Sequence, residues 1–391
     1  MEDFKTKDSF LKDKKIVLGL SGGIDSVVLL HYLHKHYPNN LRAVHCNHHL
    51  SKHCSEWEVF CKDLCAALNI PYTNIDIQLL KVSNIEENAR KIRYHSLSCN
   101  LEKNEILCTA HHQNDQAETL LLQLFRGCGV AGLAAMPKSK PFGKGTHYRP
   151  MLNIGKSVIL KYAKNNHLSW VEDDSNMNKK FRRNFLRLTI IPKLEAVYKN
   201  LTLTLLRSAK HQSEALHLIQ DLAKIDIEKN KIISNNQLNV KCLMQLESYR
   251  IKNILRYHLS VLGFLTPSDK VMQQMLDLLS AKADANPLVN WGNFEMRRYK
   301  DQLYFIDTQV TKNKEHCRYY DEFKNVAHFS IRYRNAAQRI KLPGKTHSQS
   351  LKKVLQEAGI PPWERNALKM YYIKDELRAM ERIGYMQNDS C

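Results

Sequence analysis

The sequence predicts an α/β chain: a doubly wound, mostly parallel sheet, followed by a helical domain and a small α+β C-terminal domain. Three observations carry this expectation. Residues 1–200 alternate short apolar strand signals with amphipathic helix signals, the pattern of βαβ units. A glycine turn, Ser21-Gly22-Gly23-Ile24-Asp25-Ser26, stands directly between the first strand and the first helix. Beyond residue 200 the apolar spacing changes to longer helical runs and then to short strands separated by turn residues.

In order, residues 15–20 (KIVLGL) read as a buried strand and 26–37 as a helix. Residues 42–46 (RAVHC) are a second strand. Ser55 and Glu58 have capping-box spacing ahead of a helix carrying Val59, Phe60, Leu64 and Leu68. Residues 72–77 give a third strand, 86–99 a helix and 105–110 (EILCTA) a fourth strand. A helix over 116–125 ends near Gly127. The segment 137–150, rich in Pro, Gly and Lys, reads as a loop, followed by a helix over 157–166 and a strand over 168–171. In the second half, 201–226 and 243–262 are helical, and a further helix starts at Pro267 and runs to about 279. Residues 288–308 look like a hairpin and a polar stretch at about 311–326 like a linker. Strands over 327–342, a helix over 350–358 and β structure over 371–385 close the chain.

The chain has 391 residues, enough for two or three domains at roughly 150 residues each. A hydrophobic share of 43 % excludes a wholly disordered chain. No apolar run is long enough to cross a membrane, and residues 1–10 are polar and mixed in charge. Ten cysteines without a secretion signal read as reduced thiols in the cytoplasm. Lys and Arg outnumber Asp and Glu by 59 to 39, a net charge of +20. Residues 1–200 carry 29 basic and 19 acidic groups and the remainder 30 and 20, so each half is about +10. Charge spread in this way fits a polyanion touching several domains, with nucleic acid the leading candidate.

The glycine turn has the chemistry of a phosphate cradle. Gly22 and Gly23 let the backbone turn sharply and approach a ligand, and the following helix start offers free N–H groups. Ser21 and Ser26 add hydroxyls. No lysine follows, so this is not the G-x-x-x-x-G-K-[ST] loop, and G-x-G-x-x-G is absent as well. Asp25 beside phosphates calls for a bridging cation, with Mg2+ the expected one. The fourth strand leads into His111-His112-Gln113-Asn114-Asp115-Gln116-Ala117-Glu118-Thr119. Ligands of open α/β sheets sit beyond the carboxyl ends of strands, where the winding reverses, which places the Asp25 loop opposite Asp115. Asp115 and Glu118 share a helix face and can bind Mg2+ or hold a cationic amine. His111 and His112 are in position to contact phosphate or base. Arg90 and Arg93, on one helix face, suit phosphate contacts, and Arg182, Arg183 and Arg187 form a basic cluster suited to RNA. Lys352, Lys353 and Arg365 are further RNA candidates.

Ser-Gly-Gly-Ile-Asp-Ser after a buried strand resembles the PP-loop of the N-type ATP pyrophosphatases, a Rossmann-like superfamily that cleaves ATP between its α and β phosphates. The further motifs are His45-Cys46-Asn47-His48, E-N-A-R-x-x-R-Y from Glu87, AHHQNDQAET, Arg149-Pro150 and E-D-D-S-N…R-R-N-x-L-R from Glu172. Together with Ser350 to Arg365, they follow the order seen in the bacterial tRNA(Ile)-lysidine synthetase family, over nearly the whole chain. Asn114 stands where many members carry a second Asp, and Asp174 where a Pro is common.

The resemblance implies an ATP-dependent ligase with a catalytic domain over 1–200, a mainly helical tRNA-binding domain over 201–310 and a C-terminal tRNA-binding domain over 311–391. AMP is attached at the C2 oxygen of the wobble cytidine of a CAU-anticodon tRNA(Ile), and free L-lysine then displaces it. Ser21, Gly22, Gly23, Ile24, Asp25, Ser26, His45 and His111 are the implied ATP contacts, and Asp25 the Mg2+ ligand. Asp25, Asp115 and Glu118 are the catalytic candidates, the last two also binding lysine. A homodimer is compatible with the sequence.

The rivals are a tRNA-thiolating PP-loop enzyme, an amide ligase, a zinc site around His45, His48, His49, His53 and Cys54, and a noncatalytic RNA-binding protein. Against thiolation, no C-x-x-C is present; Cys61 and Cys65 stand four apart on a helix. Against an amide ligase, no glutaminase pattern is present.

Overall fold

A computed structural model describes residues 8–49, 51, 53–77, 85–234, 237–281, 286–309, 318–334 and 338–386. The side chains of residues 85–87, 174, 175, 234 and 318 lie outside this description, as do parts of the expected 311–326 linker and 327–342 strands. The chain divides into two compact units, Met1–Ile219 and Gln220–Cys391.

The first unit is built on a six-stranded sheet. It comprises β1 (Ile16–Gly19), α1 (Ile24–His36), β2 (Leu41–Asn47), α2 (Cys54–Ala67), β3 (Tyr72–Asp76), α3 (Ile85–Cys99), β4 (Ile106–Cys108) and α4 (Gln113–Phe125). There follow α5 (Val130–Leu133), β5 (Ser139–Phe142), β6 (Gly145–Tyr148) and α6 (Lys156–Asn165). The strand order is β3-β2-β1-β4-β6-β5, parallel except for the edge strand β5. The strand order reverses at β1 and β4, as expected for a doubly wound sheet.

β1 shows why the sequence folds this way. Ile16 and Leu18 pack with Leu29, Leu30 and Leu33 of α1 on one face, while Val17 packs with Val44, Leu97 and Leu107 on the other. A strand buried on both faces reads as an unbroken apolar run, and KIVLGL is one.

Four local expectations need correction. The 137–150 loop contains the β5–β6 hairpin, and β6 extends the parallel sheet alongside β4. Glycine earns its place at the turn: Gly143 has φ +54°, and a side chain on Gly145 would meet the Glu105 carbonyl oxygen at 2.1 Å. Residues 168–171 form no strand; the Val171 N–H instead donates to the Gly22 carbonyl at 3.0 Å. The Ser55–Glu58 capping box does not form, because α2 begins at Cys54 behind His53. Glu58 is turned away and accepts from Asn47 Nδ2 at 2.8 Å. The expected 243–262 helix begins only at Ser248, because residues 244–247 separate it from a short helix over Val240–Leu243.

After α6 come α7 (Arg182–Phe185), a π-helical turn over Leu186–Ile190, α8 (Ile191–Val197) and α9 (Leu201–Lys229). Leu186 and Ile191 bury against Leu121 of α4. A π turn widens the helix and resets which residues face a neighbour.

The second unit places α10 (Val240–Leu243), α11 (Ser248–Val261) and α12 (Asp269–Ser280) against an antiparallel sheet. Its strands are β7 (Ile233–Ser234), β8 (Gln237–Asn239), β9 (Leu288–Trp291), β10 (Phe294–Tyr299) and β11 (Gln302–Asp307), in the order β7-β8-β11-β10-β9. The expected two-stranded hairpin over 288–308 is thus a three-stranded meander. Then follow α13 (Arg318–Phe323), β12 (Phe329–Arg332), β13 (Arg339–Ile340), β14 (Gln349–Ser350), α14 (Leu351–Glu357), α15 (Pro362–Arg365), β15 (Met370–Ile373), β16 (Glu376–Met380) and β17 (Gly384–Tyr385). Leu351, Val354 and Leu355 of α14 share a core with Met370, Tyr372 and Met380. Among the described residues no helix is long and apolar enough to cross a membrane.

Candidate active site

The glycine turn leaves the carboxyl end of β1 and opens α1. Ser26 Oγ accepts the Ser21 N–H at 3.2 Å and donates to the Gly23 carbonyl at 2.9 Å. The Ser21 hydroxyl therefore donates in the 3.1 Å contact between the two Oγ atoms. Both hydroxyl hydrogens are spent inside the loop, and the Ser26 and Val27 N–H groups donate to the Gly23 carbonyl, so the Ile24 and Asp25 N–H groups at the start of α1 remain for a phosphate. Gly22 has φ +82°, and a Cβ there would lie 2.8 Å from Val171 Cγ2. Gly23 is different: a Cβ would meet only Ser21 Oγ at 3.7 Å, so its bareness leaves the loop open to a ligand.

Asp25, one residue into α1, is paired with Lys156 Nζ of α6 at 2.6 Å. On its other side His112 Nε2 lies 3.7 Å from Asp25 and 3.6 Å from Asp115. His112 caps α4: its Nδ1 accepts the Asn114 N–H, and Asp115 Oδ2 accepts the His112 N–H at 2.9 Å. A bare Nδ1 puts the ring proton on Nε2, aimed between the two carboxylates. Burial works against ionised Asp25, but His112 and Lys156 more than offset it and hold its pKa below the ordinary value. Burial likewise opposes Asp115, and His112 and Arg183 prevail, bringing its pKa down to about 2.

The acids of α4 meet the arginines of the basic cluster. Arg183 donates from Nε to Glu118 Oε2 at 2.6 Å and from Nη2 to Asp115 Oδ1 at 2.9 Å. Arg187 donates from Nε to Glu118 Oε1 at 2.6 Å. Glu118 is completely buried, so the pairing answers a charge that could not stand alone there. Thus Arg183 and Arg187, expected at an RNA surface, complete the crevice, while Arg182 is exposed beside them. The i, i+4 spacing of Arg183 and Arg187 against the i, i+3 spacing of Asp115 and Glu118 was the available signal. Lys156 was missed, since nothing near Gly155-Lys156 marks it as a partner of Asp25.

The remaining candidates distribute as follows. His45 Nδ1 donates to the Leu20 carbonyl at 2.9 Å, which leaves Nε2 as an acceptor; burial lowers its pKa. The His111 pKa falls to about 3, chiefly by burial. Arg90 covers the Tyr94 ring, and half-buried His48 has its pKa brought to about 4 chiefly by burial and then by the charge of Arg93. Lys352 and Lys353 are exposed on α14. Arg365 is a correction: it is 6 % exposed, donates to the Ile360 carbonyl at 2.8 Å and to the Tyr299 hydroxyl at 3.2 Å, and so belongs to the interior. Cys61 and Cys65 are fully buried, their thiols pushed up to about 12 and about 11 by burial, the opposite of a reactive pair. Among the described residues no three His, Cys, Asp or Glu converge to hold a metal by themselves. Mg2+ needs less: one carboxylate such as Asp25 plus phosphate oxygens and water is a common set, so the loop fits the ion together with its nucleotide.

Residues 2–194 match the PP-loop domain family, 238–304 the TilS substrate binding domain and 329–389 the TilS substrate C-terminal domain. The chain is 35 % identical over 399 residues to the tRNA(Ile)-lysidine synthase of Coxiella burnetii, covering 94 % of this chain and 88 % of that protein. It is 34 % identical over 402 residues to that of Legionella pneumophila strain Paris, covering 96 % and 92 %. It is 34 % identical over 409 residues to that of Nitrosomonas europaea, covering 95 % and 88 %.

Proposed function

The chain belongs to the tRNA(Ile)-lysidine synthase family, and on that premise we propose that this crevice joins free L-lysine to C2 of the wobble cytidine of a CAU-anticodon tRNA(Ile). ATP is split to AMP and pyrophosphate. The cytidine C2 oxygen attacks the α-phosphorus and pyrophosphate leaves; the lysine ε-amine then adds at C2 and AMP departs with that oxygen. The observation that carries the reading is the facing pair of strand ends: the Ser21–Ser26 loop after β1 and Asp115 and Glu118 after β4, linked by His112.

The backbone of Gly22, Gly23 and Ile24 receives the β and γ phosphates. Asp25 would hold Mg2+, which when bound would supply charge neutralisation for the departing pyrophosphate. Lys156 is the protein's own cation at that carboxylate and is placed to move onto phosphate when nucleotide enters. The lysine ammonium competes with Arg183 and Arg187 for Asp115 and Glu118. An acid with a pKa of about 2 is a poor base, so Asp115 serves by charge pairing, with proton removal left to a weaker acid or to water. Displaced arginines are free to take RNA phosphate. Arg90 and Arg93 flank the crevice, and Lys352 and Lys353 contact tRNA from the C-terminal domain, in a cytoplasmic enzyme. The cytidine must leave its stack to reach the site.

The test is AMP release from ATP with CAU-anticodon tRNA and, in turn, lysine, a sulfide donor or ammonia. Lysine-dependent AMP formation, lost in Asp25→Ala, supports the reading. AMP formation that needs the sulfur donor instead would replace it with thiolation.

A further inference from the structure

Next to the crevice lies a buried polar chain that the scheme above does not use. Arg149, immediately after β6, is 4 % exposed and held by Nη1 donating to the Pro137 carbonyl at 2.7 Å. The preceding residue, Met136, is held by Gln116 of α4, which exchanges two 2.8 Å hydrogen bonds with its backbone. Arg149 Nη2 lies 3.2 Å from His147 Nδ1, His147 Nε2 lies 2.8 Å from Thr109 Oγ1, and Thr109 Oγ1 lies 2.8 Å from His111 Nδ1.

Thr109 Oγ1 could accept from both rings, but it is buried and its own hydrogen has no other acceptor among the described residues, so one arrangement of protons satisfies all three contacts and leaves no Thr109 O–H stranded. Arginine donates and never accepts, so His147 Nδ1 is bare. A charged His147 would point a second N–H at the guanidinium, so the ring is neutral with its proton on Nε2, donated to Thr109. Thr109 has one hydroxyl hydrogen, which goes to His111 Nδ1. That nitrogen is therefore bare, and the His111 proton sits on Nε2. Burial, and then the charge of Arg149, keep the His147 imidazole neutral, its pKa brought down to about 2. His111 Nε2–H has no protein acceptor among the described residues, and the ring is half-buried just beyond β4.

We propose that Arg149, His147 and Thr109 are positioning residues that fix His111 as a neutral Nε2–H donor aimed at a substrate oxygen in the crevice, a phosphate or the cytidine C2 oxygen. The proposal rests on the ligase reading for its substrate, but the tautomer does not depend on that reading. A fixed donor needs no reorganisation as charge develops on the oxygen, which is where preorganisation gains most. The inverse tautomer would present a lone pair and repel the same atom.

The test replaces Thr109 by valine, an isostere that removes the hydroxyl, and reads two quantities. The first is the His111 ring tautomer of the ligand-free full chain by 15N NMR. The second is kcat for lysine-dependent AMP formation beside KM for ATP. In the unaltered chain His111 is the Nε2–H form. In Thr109→Val the two tautomers mix and kcat falls about tenfold, while KM for ATP stays within about twofold; Thr109→Ser restores both. His147→Gln keeps an acceptor for Arg149 and a donor for Thr109, so it retains the tautomer and most of kcat; it also serves if Thr109→Val folds poorly by circular dichroism. A Thr109→Val chain that holds the Nε2–H form at unchanged kcat overturns the proposal. A correct tautomer in a chain with no lysine-dependent turnover leaves the relay standing and removes the ligase reading.

Discussion

The two halves of the chain carry equal excess charge, about +10 each, and use it in opposite ways. In the first unit the cations beside the sheet are turned inward: Arg183 and Arg187 onto Asp115 and Glu118, Lys156 onto Asp25, Arg149 onto a carbonyl and an imidazole. In the second, Lys352 and Lys353 stand on an exposed helix face. Arg365, with the same formal charge, is buried there against Tyr299. A net charge therefore gives the class of partner but not the contacts. What decides is whether a cation meets a buried acceptor: Glu118 and the Ile360 carbonyl hold their arginines inside, whereas Lys353 has the exposed Glu357 of its own helix, 3.9 Å away.

The comparison breaks most sharply at Glu118. Glu118→Ala leaves Arg183 and Arg187 to share Asp115 alone, and removing one partner of a buried ion pair costs about 3–5 kcal/mol. Chemical denaturation should show that loss, with lysine-dependent turnover gone. Next is Gly22→Ala, where the positive φ and the 2.8 Å approach to Val171 act together. The expected cost is about 1–2 kcal/mol, with KM for ATP raised more than that stability loss explains. Gly23→Ala, sterically free in the folded chain, should melt normally and still bind ATP poorly.

Acid comes third. The Asp25 and Asp115 carboxylates have lowered pKa values in the folded chain, so their contribution is complete above the ordinary carboxylate value of 3.8 and is lost as pH falls through the folded value, about 2 for Asp115. Unfolding midpoints should drop across that window, and Asp115→Asn should flatten part of the drop. The smallest effect belongs to the second unit: Lys352→Ala with Lys353→Ala leaves the melt unchanged, weakens tRNA binding and reduces the slope of log affinity against log salt by about two. An unchanged slope would mean these lysines do not meet phosphate.

The sequence made the crevice legible because its signals are local. A strand, Ser-Gly-Gly, Asp-Ser and a helix coincide, and the adjacency of β1 and β4 follows from winding rules. What escaped depends on contacts distant in sequence. Arg183 lies 65 residues from Glu118 and Lys156 lies 131 from Asp25; matched helical spacing is the one signal for the first pair, and no local pattern announces the second. The β5–β6 hairpin was hidden by its own Pro and Gly, which also mark loops. The capping box at Ser55 failed because α2 begins earlier, at Cys54 behind His53, and Glu58 accepts from Asn47 on β2 instead. Arg365 read as a surface cation, and only the tertiary fold supplies Ile360 and Tyr299 to hold it inside.

The central claim, that one crevice between the β1 and β4 ends joins lysine to tRNA, is tested most directly by mass spectrometry of the wobble cytidine after incubation with ATP and isotopically labelled lysine. The account predicts a labelled gain equal to lysine less water on that nucleoside, absent with Asp25→Ala and with a tRNA lacking the CAU anticodon. An unlabelled cytidine despite AMP release, or a labelled one with Asp25→Ala, would contradict it.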